Sequence, residues 1–188
     1  MNEQGEQMKK KNTLRTLLLM TLGALLAFAP VFADEDEGEE YEHGERNRHK
    51  SAAVAENPLY KQECSSCHYL YNPGLLTAAS WMAVINGQNK HFGENLAIDP
   101  KETTEILNYL KSNSAEKGNA EWSRKIARSS GSKTYLRISE VPWIQKEHRK
   151  ISEAVFKRPS IKSRANCVAC HPAAANGDFE EHSVSIPR

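Results

Sequence analysis

The chain has 188 residues, 25 basic and 24 acidic side chains, and a formal net charge of +1. That balance excludes a nucleic-acid surface built on a basic surplus. With 39% hydrophobic and 7% aromatic residues, the apolar complement is thin for this length, and side chains alone would make a modest core.

Residues 1–33 read as a secretory signal peptide. Lys9, Lys10, Lys11 and Arg15 form a positive n-region, Leu17 to Ala29 an apolar h-region, and Val31 and Ala33 occupy the small-residue positions before cleavage after Ala33. The apolar run is shorter than the ~20 residues a membrane-spanning helix needs, and no cysteine follows it to carry a lipid anchor. Removing the 33 residues leaves 155, and with four basic and two acidic side chains gone the remainder holds 21 and 22. The expected location is the periplasm. Asp34 to Glu45 then carries eight carboxylates, followed at once by Arg46, Arg48 and Lys50. A charge block without apolar residues cannot bury enough surface to fold, so residues 34–52 are expected to be a disordered tail.

Beyond residue 52 the punctuation is helical. Asn57-Pro58 places a cap residue before proline at the first helical position. Ser80 is positioned to cap a helix bearing Trp81, Val84 and Ile85, ended by Asn86-Gly87. Asp99-Pro100 starts another, with Glu102 placed for a capping box and Ile106, Leu107 and Leu110 on one face. Asn119 opens a segment with Trp122 and Ile126. Ser139 to Pro142 opens a further one, in which Ile144, His148 and Ile151 recur at i, i+4 and i+7. Asn176-Gly177 marks a turn.

All four cysteines lie in two pentads, Cys64-Ser65-Ser66-Cys67-His68 and Cys167-Val168-Ala169-Cys170-His171. Two thiols two residues apart can both add to the vinyl groups of one porphyrin, and the following histidine is held under the iron as its proximal ligand. A zinc site or structural disulfides would leave both trailing histidines unexplained, and a thioredoxin-like pair would need an α/β pattern that is missing. The chain therefore reads as a binder of two haem c groups. The expected fold is mainly α, with short helices and long loops packed around two covalently bound haems, one in each half (53–118 and 119–188). The apoprotein is expected to be poorly folded.

The sixth ligands follow from counting. Of Met1, Met8, Met20 and Met82, the first three leave with the leader, so at most one haem can be His/Met. Among seven histidines, His68 and His171 are proximal, while His43 and His49 fall in the charged tail. His91, His148 and His182 remain for two positions, with His91 and His148 preferred as distal ligands and His182 in reserve. His91 lies 23 residues after His68 and His148 lies 23 before His171, which favours the pairs His68/His91 and His148/His171. A crossed arrangement stays open. Closed bis-histidine irons suit an electron carrier rather than an enzyme; the alternative is a small peroxidase or gas sensor with one open iron.

Several combinations resemble a known family: Tyr60-Lys61-Gln62-Glu63-Cys64, Leu75-Leu76, Ser80-Trp81, His91-Phe92-Gly93-Glu94-Asn95, Arg137-Ile138-Ser139, Pro142-Trp143, Glu147-His148 and Ala165-Asn166-Cys167. Over about 57–179 the chain is similar to the bacterial dihaem cytochromes c. The resemblance implies a two-part helical protein with one bis-histidine haem in each part. It also implies electron transfer to a small oxygen-binding monohaem cytochrome, with a membrane cytochrome b upstream. Thr77 departs from the family pattern, where proline is expected after Leu75-Leu76, and the acidic tail is an addition.

Overall fold

The computed structural model describes residues 56–188. The leader, the acidic tail, His43 and His49 lie outside the described residues. Among the described residues six α-helices follow in order: α1 (Pro58–Cys64), α2 (Ala78–Asn86), α3 (Pro100–Ser112), α4 (Glu121–Ser130), α5 (Pro142–Glu147) and α6 (Glu153–Phe156). Short 3₁₀ turns join them, and among the described residues no strand forms beyond a single bridge between His91 and Glu94.

Side-chain caps account for three of the six starts. Asn57 caps α1 by accepting from the Tyr60 amide at 2.8 Å, with Pro58 in the first turn. Asp99 caps α3 through the Lys101 amide. The cap of α2 is Thr77, whose hydroxyl accepts from the Ser80 amide, so Ser80 lies inside the helix rather than before it. Buried Ser80 serves tertiary contacts instead: its Oγ accepts from Thr77 Oγ1 at 2.9 Å and from the Tyr135 amide at 2.9 Å. Helix α4 starts after Ala120 with no side-chain cap bond, two residues later than the Asn119 signal suggests. Helix α5 stops at Glu147, with His148 as its C-cap. The Ile144–His148–Ile151 spacing is therefore not one helical face.

The core runs through Leu76, Trp81, Ile106, Leu110, Trp122, Ile126 and Val141, so elements on both sides of residue 118 share it. Helix α2 packs on α3, and α4 packs on α5 and on the 3₁₀ turn Pro73–Leu75. Polar ties fix these contacts. Trp81 Nε1 donates to the Pro73 carbonyl at 2.6 Å, and the Trp143 amide donates to Ser129 Oγ at 3.2 Å. Gly118 lets the chain pass close to α4, because a Cβ there would stand 2.1 Å from Ser123 Oγ. No helix among the described residues is long and apolar enough to cross a membrane.

Candidate functional site

Each pentad is presented by a local element. Helix α1 carries Cys64 on its last turn, and the chain then turns through Cys67 to His68. The 3₁₀ turn Cys167–Ala169 carries the second, with the His171 amide donating to the Cys167 carbonyl at 2.8 Å. Asn166 Nδ2 anchors that turn on the Ile161 carbonyl, and the Ser185 amide ties the C-terminal segment to Cys170. No disulfide joins any of the four cysteines. Burial pushes the Cys64 thiol up to about 11, with Glu63 adding to it, and burial also raises Cys167.

The histidines come together in pairs. His91 and Glu94 exchange backbone hydrogen bonds of 2.8 and 3.0 Å around a turn in which Phe92 has φ +52° and Gly93 φ +109°. Gly93 thus permits the turn, and it brings the His91 ring 6.4 Å from His68, centroid to centroid. At the end of α5, His148 lies 6.0 Å from His171. The planes of the two pairs are inclined at 33° and 64°. An imidazole nitrogen lies about 2.0–2.1 Å from a first-row metal and roughly 1.2 Å from its own ring centre, so two axial imidazoles across one iron place their centroids about 6.4 Å apart. Both pairs have room for an iron between them.

Hydrogen bonds orient the rings. His68 Nδ1 meets the Tyr69 carbonyl at 2.7 Å and His148 Nδ1 meets the Ile144 carbonyl at 2.8 Å. With Nδ1–H donated to a carbonyl, Nε2 keeps its lone pair for a metal, the usual support for ligating histidine. Burial lowers His91, aided by His68, and burial lowers His171, aided by His148. Both shifts favour the neutral, ligating form.

One cleft of about 950 Å³ is lined by all four cysteines and by these four histidines, near the upper end of about 300–1,000 Å³ for small-molecule sites. Its walls are largely apolar, with Leu75, Leu76, Trp81, Ile85, Leu110 and Ile161 among the lining side chains, Phe156 beside His148 and Phe179 beside His171. Tyr71 packs on His68 at 4.8 Å, Phe179 on His171 at 5.6 Å, and Trp122 on Phe179 at 5.1 Å. The guanidinium of Arg164 lies 4.0 Å over Phe156 and pairs with Glu153. Among the described residues no group of three or more His, Cys, Asp and Glu side chains could hold a metal ion. The donor set, ring spacing and cleft all fit two haems.

Met82 is 44% exposed and is not part of the cleft wall, and exposed His182 is not part of it either. Sequence reasoning missed Tyr69, Tyr71, Phe156 and Phe179. The aromatic pair at positions +1 and +3 after the first pentad was the available signal.

The model of the dihaem cytochrome c family matches residues 60–179. Among solved structures, the chain is similar to a dihaem cytochrome c from Rhodobacter sphaeroides, at 36% identity over 68% of this chain and all of that one, with a TM-score of 0.59. It is also similar to a dihaem cytochrome c from Shewanella baltica, at 30% identity over 71% of this chain and 95% of that one, with a TM-score of 0.58. No curated protein matches the chain.

Proposed function

The chain belongs to the dihaem cytochrome c family and carries two haem c groups, and on that footing we propose that it is a periplasmic electron carrier with two closed, bis-histidine irons. In this reading Cys64 and Cys67 anchor the first haem, with His68 proximal and His91 distal. Cys167 and Cys170 anchor the second, with His171 proximal and His148 distal. The carrying observation is the two pairs of imidazoles, with centroids 6.4 and 6.0 Å apart, that line one cleft. The spacing favours the uncrossed pairing and leaves His182 without a ligand's role.

Bound in these sites, each haem supplies a one-electron ferric–ferrous couple. The protein's part would be to offer two imidazoles to each iron, leaving no place for a substrate, and to keep water away with the apolar walls of the cleft. The carbonyls of Tyr69 and Ile144 hold two of the rings in their ligating tautomer. Catalysis at the iron would need an open position that this arrangement does not provide. The leader delivers the chain to the compartment where haem is attached. The acceptor is a small monohaem cytochrome, and the donor a membrane cytochrome b. Adding carbon monoxide to the ferrous protein should leave its visible spectrum unchanged on the timescale of mixing. Rapid, complete binding at either haem would overturn the closed-iron reading.

A further inference from the structure

Residues 69–71 touch both haem sites. The Tyr69 carbonyl accepts from the proximal His68 ring of the first site, and the Tyr71 ring packs on that same imidazole. Tyr71 Oη donates 2.8 Å across the fold to the carbonyl of Ala165, two residues before Cys167. The Tyr60 hydroxyl donates to the Tyr71 carbonyl at 3.0 Å, and the Tyr69 and Tyr71 rings meet edge-on at 4.5 Å. The segment is thus fixed from three sides.

The Tyr69 hydroxyl is buried and closes no hydrogen bond of ordinary length. The bond from Tyr71 to Ala165 sets residues 69–71 against the turn that carries Cys167, and the Cys167 side chain is the group that acts most directly on this hydroxyl. A native structure seldom leaves a buried hydroxyl unpaired without a reason. Sulfur chemistry supplies one. As a free thiol, Cys167 points its own hydrogen at the Ala165 carbonyl, 3.7 Å away. Once joined to a porphyrin the sulfur has no hydrogen and can only accept, and the hydroxyl facing it is a donor.

Resting on the two-haem reading above, we propose that Tyr69 is a positioning and tuning residue shared by the two sites: its carbonyl orients the first haem's proximal histidine and its hydroxyl donates to the Cys167 thioether sulfur of the second. Hydrogen bonding around a haem is one of the protein's levers on potential. A donor on that sulfur draws electron density from the porphyrin edge and favours the ferrous form, so removing it lowers the second haem's potential. Tyr71 holds the donor in place through its ring and its bond to Ala165.

The test is potentiometry on the holoprotein and on Tyr69→Phe, following both haems by visible spectra and by low-temperature EPR. The second haem is identified from His148→Ala, whose remaining low-spin signal belongs to the first. Tyr69→Phe should make the second haem three- to tenfold harder to reduce, a fall of roughly 30–60 mV at 59 mV per decade for one electron, with the first haem unmoved. Tyr71→Phe, which keeps the ring on His68 but loses the Ala165 bond, should move the second haem in the same direction by less. This second variant decides the matter if Tyr69→Phe matures poorly. A purely structural role would lower the melting temperature and leave both potentials in place, and that result, or a shift confined to the first haem, overturns the proposal. If His148→Ala exposes no iron, the ligand assignment itself has failed, which is a separate outcome.

Discussion

Gly118→Ala should destabilise the protein by crowding a single atom. A Cβ at this position would stand 2.1 Å from Ser123 Oγ and 2.7 Å from Ser123 Cβ. Ser123 is 1% exposed, and its hydroxyl donates to the Ala115 carbonyl at 3.1 Å, so the side chain cannot swing away without opening that bond. Overpacking of this kind costs about 1–3 kcal/mol and the opened bond about 1 more, for a total of about 2–4 kcal/mol. For a chain of this size that is a fall of roughly 4–16 °C in melting temperature. Thermal melts of the holoprotein by far-ultraviolet circular dichroism measure it. Combining Gly118→Ala with Ser123→Ala removes the nearer clash, so the double variant should be more stable than the sum of the two losses. The disturbance should reach function through Trp122, which lies in the displaced first turn of α4 and meets Phe179 edge-on, next to His171. The second haem's spectrum should respond first. A loss below about 0.5 kcal/mol, or strict additivity with Ser123→Ala, would refute the reasoning.

His91→Ala and His148→Ala should each convert one of the two haems to a high-spin form that binds carbon monoxide, while His182→Ala leaves both low-spin; ferric absorption spectra decide. Haem-free protein leaves the apolar cleft of about 950 Å³ unfilled, so it should lose much of its helical dichroism and its cooperative melt, whereas a fully helical, cooperatively melting apo form would contradict the core's dependence on the porphyrins.

What the sequence made legible is local or countable. The pentads are contiguous, so their chemistry needs no fold to be read. The distal candidates came from a census that removed three methionines and two histidines and left His91, His148 and His182, of which the fold sets the first two beside His68 and His171. The Asn176-Gly177 turn was legible because Gly177 takes the left-handed conformation, φ +72°. Features set by distant partners were not. Ser80 looked like a cap because serine usually is one, yet its hydroxyl answers Tyr135, 55 positions away. His148 seemed to extend a helical face that ends one residue earlier, since periodicity does not register a C-cap. The bond from Tyr71 to Ala165 spans 94 positions, and no local pattern encodes it.

The central claim is that each iron lies between two imidazoles. Low-temperature EPR of the ferric holoprotein tests it most directly. The account predicts two low-spin signals of equal intensity, distinguishable because the ring planes meet at 33° in one pair and 64° in the other, with no high-spin component. A high-spin signal approaching one haem per chain would contradict it.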